Sequence, residues 1–239
     1  MRDVVVRCIY GVDLQPMAAQ LAKVALWLES MERGKPLAFL DHHIKVGNSL
    51  LGATPALLSR GVPDGAYAAL TGDDKKVAAA LKKQNRTERV AKQSTLLSQD
   101  DDAEGIEIAP DRVRALQAVV PQRTAAEVAA VAERFRALES DDEMTRARRA
   151  ADTWCSAFTA WKVDSSRAIT TETVRNAAHG TLPAVLGEIV SEEATRYRFF
   201  HWHLEFPEVF TPLPADDIPD DDPTGWAGGF TAMLGNPPW

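Results

Sequence analysis

The sequence predicts an α/β fold, carried in part and interrupted by a long helical insertion. Three observations lead there. Residues 9–13 read as a short apolar strand that ends in an acid and runs into a helix; residues 44–46 read as a further strand ending in a Gly-Asn-Ser turn. The span 53–198 is rich in Ala, Arg, Lys and Glu, and an apolar, aromatic pattern returns only at 199.

The first strand is Ile9-Tyr10-Gly11-Val12-Asp13. Pro16 suits the first turn of the helix that follows, because the N–H it lacks would be unpaired there in any case. In that helix Met17, Leu21, Val24, Leu28 and Met31 recur at steps of four, three, four and three, a stripe expected to pack on a sheet, and Gly34 and Pro36 end it. The strand at 44–46 leads into Gly47-Asn48-Ser49, which places Asn48 beside Asp13. Residues 1–52 thus form one piece of the core, 53–198 the insertion and 199–239 the return to the core.

Within the insertion, residues 73–98 carry Val77, Leu81 and Val90 as a thin apolar stripe on a solvated helix, which the acidic run 100–105 breaks. Residues 110–140 repeat Val113, Leu116, Val120, Val128, Val131, Phe135 and Leu138 near helical spacing, with Thr124 to Glu127 as a capping box. A third helix over 141–162 presents Trp154, Phe158 and Trp161 at the spacing of a buried bundle face, and Arg146, Arg148 and Arg149 as a solvated one. In the return, 200–210 read as extended, which puts His201, His203 and Glu205 on one side; with no fourth ligand and no cysteine pair the row is structural, and no metal site is predicted. The run 216–223 with Gly225, Gly228 and Gly229 reads as a solvated linker, and 230–234 as a last strand.

That last strand runs into Asn236-Pro237-Pro238-Trp239. Two prolines remove two backbone donors and hold the chain open, which leaves the Asn236 carboxamide oxygen and the Pro237 carbonyl as converging acceptors. Two acceptors suit an exocyclic amino group, and the Trp239 ring gives a surface on which a base lifted from a duplex can stack. At the other end, an acid closing a strand of a nucleotide-binding α/β fold accepts both vicinal hydroxyls of a ribose; the same acid can instead cap the following helix. Asp13 is open to both readings.

The acid-ended strand, the Gly47-Asn48-Ser49-Leu50 turn, the stretch Phe200-His201-Trp202-His203-Leu204-Glu205-Phe206-Pro207-Glu208-Val209-Phe210 and the terminal Asn-Pro-Pro-Trp come in the order found in the large bacterial adenine-N6 DNA methyltransferases of restriction-modification and phage-defence systems, which the chain resembles. The resemblance implies a Rossmann-like fold that uses S-adenosylmethionine. It implies Asp13, with Leu14, for the cofactor's ribose; Asn48, with Ser49, for its adenine edge; and Asn236, Pro237, Pro238 and Trp239 for the target adenine. Asn48 stands where relatives often carry Asp, and Thr231 follows Phe230 where they usually carry Asp. No nucleophilic cysteine is required, since the sulfonium is an activated methyl donor and the protein supplies positioning and electrostatics.

The family's glycine-rich loop and first strand would lie upstream of Met1, and the chain has no Gly-x-Gly pattern. The chain is therefore expected to be an internal fragment, inactive alone. Because the absent strand lies between the strands ending at Asp13 and near Leu234, those two should be separated by a slot of roughly 10 Å, twice the interstrand spacing. Asp13, Asn48 and Asn236 should still converge on one rim.

Composition suits a soluble, cytoplasmic piece: 45% of residues are hydrophobic, no membrane-length apolar run occurs, and Cys8 and Cys155 suggest reduced thiols. A net charge of −7 argues against this chain gripping DNA unaided, so double-stranded DNA would be held largely through parts outside it. Two rival readings stand beside the enzyme: a noncatalytic helical module with decayed methylase motifs, and a dinucleotide-binding oxidoreductase, which Asp13 alone favours.

Overall fold

A computed structural model describes residues 1–96 and 122–235. Helix α1 (Arg2–Cys8), strand β1 (Gly11–Asp13), helix α2 (Pro16–Ser30) and strand β2 (Ile44–Val46) form a βαβ unit in which β1 and β2 run parallel, with Gly11 opposite Ile44 and Asp13 opposite Val46. Gly11 N donates to His43 O at 2.9 Å and Gly47 N to Asp13 O at 3.0 Å, which extends the ladder past both ends.

Helix α2 turns a different face inward from the one expected. Met17, Leu21, Val24, Leu28 and Met31 are exposed; Ala19, Lys23 and Ser30 are buried, and Leu26 and Trp27 pack against Val5, Leu40 and Ile44. Both stripes have helical spacing. They lie two residues out of phase, roughly 200° around the axis at about 100° per residue, so α2 is apolar on opposite sides and periodicity alone does not choose. The buried side carries the polar anchors: Trp27 Nε1 donates to Ala38 O at 2.7 Å, and Lys23 pairs with Asp41.

Past β2 the chain meets the return segment. Asn48 and Phe199 form a parallel bridge, and Phe200 N donates to Leu51 O at 2.8 Å. Glycine is required at the crossing, since a Cβ on Gly47 would lie 2.5 Å from the Phe200 ring and one on Gly52 2.0 Å from Phe200 O.

The span between is helical: α3 (Pro55–Arg60), α4 (Lys75–Leu96), α5 (Ala125–Glu139), α6 (Asp142–Thr159), α7 (Thr171–Ala178) and α8 (Ala184–Tyr197). Its core gathers Val62, Tyr67, Leu81, Met144, Trp154 and Val174. The capping box forms, with Glu127 N on Thr124 Oγ1 at 3.2 Å and Thr124 N on Glu127 Oε2 at 3.0 Å. A cap starts a helix, so α5 begins at Ala125 and does not run through from 110; residues 97–121, with the acidic run and the first half of that expected helix, lie outside the described residues. Trp154 is buried and donates to Gly61 O at 3.1 Å, whereas Trp161, beyond the end of α6, is exposed.

Three expectations for the return segment are corrected. Residues 202–205 form a helical turn, α9 (Trp202–Glu205), in place of an extended stretch, because Leu204 N and Glu205 N both bond back to His201 O. The supposed linker is a fixed turn: Asp222 accepts from Thr224 N and Gly225 N, and Arg60 donates to the carbonyls of Pro219, Asp220 and Asp222. The glycines after it belong to a hairpin, in which β3 (Phe210–Pro212) pairs antiparallel with β4 (Trp226–Gly228) and residues 230–234 form no strand. Gly228, at φ 90°, leaves no room for a side chain, since a Cβ would lie 2.3 Å from Val209 O.

Residues 9–12 therefore do not pair with 230–234. Tyr10 and Val12 instead meet an aromatic cluster, with the Tyr10 ring centroid 5.1 Å from that of Phe206 and 5.2 Å from that of Phe230. The described residues thus form a mixed helical and stranded structure with two two-stranded sheets.

Candidate cofactor and target-base site

Parallel pairing of β1 with β2 brings Asp13 and Asn48 together at the carboxyl ends of neighbouring strands. Asp13 is exposed, and its Oδ1 accepts from Gln15 N at 2.7 Å, so the acid does brace the turn into α2. That bond uses one lone pair of one oxygen. Oδ2 has no hydrogen-bond partner among the described residues, and the exposed carboxylate keeps acceptor capacity on both oxygens.

Asn48 is fixed at three points. Its N–H donates to Arg198 O at 2.7 Å, its carbonyl accepts from Leu51 N at 3.0 Å, and its side-chain Oδ1 accepts from Leu50 N at 3.2 Å. The carboxamide NH2 has no partner among the described residues. Ser49 is exposed, and its carbonyl accepts from Trp202 Nε1 at 3.1 Å. Leu14 is exposed, and its carbonyl accepts from the Arg198 guanidinium. Asn236, Pro237, Pro238 and Trp239 lie outside the described residues, which end at an exposed Leu234-Gly235.

Beside the rim, Tyr10 stacks on His43 with centroids 4.0 Å apart, and its hydroxyl bonds to the Glu208 carboxylate. Burial pushes the Tyr10 phenol up, the neighbouring Glu208 charge adds to it, and burial likewise raises the Glu208 carboxyl. Glu205 behaves oppositely. Burial raises it, but Lys45 at 3.1 Å and Arg148 at 2.8 Å outweigh burial and hold it below the usual carboxylate range.

The histidines serve packing. His201 Nδ1 accepts from Ala53 N at 3.0 Å and its Nε2 bonds Asp152 at 2.9 Å, so both ring nitrogens are engaged. Burial lowers His203 to about 3, His43 to about 3 and His42 to about 4, so all three are neutral near pH 7. No group of His, Cys, Asp and Glu suited to a metal ion occurs among the described residues. Cys155 is buried and burial pushes its thiol up, which removes it as a nucleophile.

Arg198 and Trp202 escaped the sequence reading. Trp202 sits in an aromatic stretch whose members look alike in sequence. Arg198 gave no signal at all, because its place at the rim depends on a left-handed backbone conformation, φ 53° and ψ 53°.

An exposed carboxylate beside a carboxamide, at the carboxyl ends of parallel strands, fits a ribose diol next to a base edge. No helix among the described residues is long and apolar enough to cross a membrane. Comparison with known proteins yields no matching curated protein and no matching solved structure. The profile of the Eco57I restriction-modification methylases matches residues 7–239, across both strands, the helical span and the return segment. The chain therefore belongs to the Eco57I restriction-modification methylase family, a family of methyltransferases that act on DNA.

Proposed function

We propose that this chain is part of an adenine-N6 DNA methyltransferase that takes its methyl group from S-adenosylmethionine. The observation that carries the reading is the convergence of Asp13 and Asn48 on one rim. Asp13, with the Leu14 turn, holds the ribose hydroxyls; Asn48, with Ser49, meets the adenine edge. The cofactor supplies an activated methyl on a sulfonium. Asn236 and the Pro237 carbonyl accept the two amino protons of a flipped adenine, Pro238 keeps the segment open, and Trp239 stacks on the base, so the nitrogen lone pair is drawn out of the ring toward the methyl donor.

In this reading residues 1–52 and 199–239 belong to a Rossmann-like core and 53–198 to an insertion. The close approach of its two ends supports that division: Leu51 bonds Phe200, and Ala53 bonds His201. The chain contains no Gly-x-Gly pattern to cradle the methionine part of the cofactor, so alone it transfers no methyl group. Its charge of −7 leaves the grip on double-stranded DNA to other parts of a cytoplasmic enzyme. The oxidoreductase alternative rested on Asp13 alone and gains nothing from the family.

The test is the identity of the methylated base. DNA incubated with tritiated S-adenosylmethionine and a methylase containing this chain should yield labelled N6-methyladenine on nucleoside analysis. Label confined to cytosine would overturn the assignment.

A further inference from the structure

Arg198 closes α8, and among the described residues it alone combines a side chain with a left-handed backbone. Glycine is the usual residue there, and any other costs roughly 1 kcal/mol. Two bonds hold this place, and only the first needs a side chain. The guanidinium donates to the Leu14 carbonyl, directly after Asp13, and the Arg198 carbonyl accepts from Asn48 N at 2.7 Å. The left-handed turn makes both possible at once: α8 ends with Arg198 N on Ala194 O at 2.8 Å, and the chain then swings its carbonyl onto Asn48.

We propose that Arg198 is the positioning residue of the cofactor rim, a clamp from the end of the helical span that ties the turn of Asp13 to the turn of Asn48. The inference rests on the reading of those two residues as cofactor-binding. β1 and β2 are three residues long and, among the described residues, form a sheet of two strands, so their own ladder constrains the following turns weakly. With the clamp, the Asp13 fork and the Asn48 carboxamide keep one spacing before the cofactor arrives, which lowers the ordering cost of binding. Lysine at 198 retains a donor for the Leu14 carbonyl; glycine removes it while relieving the backbone.

The test compares a methylase containing this chain, as wild type and with Arg198→Gly or Arg198→Lys, by hydrogen exchange, with and without millimolar S-adenosylmethionine. In Arg198→Gly, exchange at Gln15 and Asn48 should rise about tenfold, equivalent to about 1.4 kcal/mol, while the Tm stays within about 2 °C of wild type. Protection of both turns by S-adenosylmethionine should weaken in parallel, and Arg198→Lys should restore most of it. Wild-type exchange at Gln15 and Asn48 in Arg198→Gly would overturn the clamp, whatever the cofactor does. Failure of S-adenosylmethionine to protect either turn in the wild-type methylase would overturn the cofactor reading, and with it the purpose assigned to the clamp.

Discussion

Gly52 is held by a single missing atom. A Cβ there would fall 2.0 Å from Phe200 O, and because the obstacle is backbone it cannot swing aside. Gly52→Ala should cost about 3 kcal/mol, the upper end for overpacking, measured as a fall in unfolding free energy; a loss under half that would mean the Leu51–Phe200 contact is looser than drawn. Buried histidines give a second prediction. His42, His43 and His203 are held at about 4, 3 and 3, below the ordinary value near 6.5, so the unfolded chain takes up protons that the folded chain refuses. Their neutral packing favours the fold fully above pH 6.5, and stability falls as the pH drops from there toward 4. Each contributes up to about 1.4 kcal/mol per pH unit. The urea midpoint should drop between pH 7 and pH 5, and an unchanged midpoint would contradict their burial.

Among the elements, Glu205 in α9 joins Lys45 of β2 to Arg148 of α6, and Lys45 also lies 4.4 Å over the Phe135 ring of α5. The strand unit and the helical span thus share a carboxylate whose side chain is only 15% exposed, beside a longer pair of Lys45 with Glu139 at 3.8 Å. Glu205→Ala takes this partner from Arg148 and leaves Lys45, among the described residues, only Glu139 at 3.8 Å, and should cost about 3 kcal/mol, whereas Glu205→Gln, which keeps the acceptor, should cost less; equal losses would make the contact steric. On α2, the exposed Leu21 and Leu28 belong to an apolar stripe. Leu21→Gln with Leu28→Gln should leave stability within about 0.5 kcal/mol and reduce binding of a hydrophobic dye, while a large loss of stability would mean the stripe is covered. The sequence did announce α2 itself, β1, β2 and the α5 cap. It put the wrong face of α2 inward, because Ala19, Lys23, Leu26 and Ser30 share the helical period of the larger stripe, and burial followed the polar anchors Trp27 and Lys23.

At the scale of the molecule, the two ends of the helical span lie against each other: Ala53 N donates to His201, and Asn48 bridges Phe199. The neighbouring places of β1 and β2 were legible from two short strand patterns, each ending in a turn. The hairpin of β3 and β4 was not, because Gly225, Gly228 and Gly229 after an acidic run read equally as linker until Arg60 is seen holding the carbonyls of that run. Arg198 was illegible for a different reason: its role needs a backbone angle and a partner 184 residues away.

In the proposed function Asp13 meets the cofactor and Asn236 meets the base. The most direct measurement is the Kd for S-adenosylmethionine, alongside turnover, of a methylase containing this chain. Asp13→Ala should weaken cofactor binding about tenfold or more, the scale of a lost charge-assisted pair of hydrogen bonds. Asn236→Ala should leave that Kd nearly unchanged and lower turnover roughly a hundredfold, the scale of one lost transition-state contact. Equal effects of the two substitutions on the Kd, or an unchanged Kd in Asp13→Ala, would contradict the account.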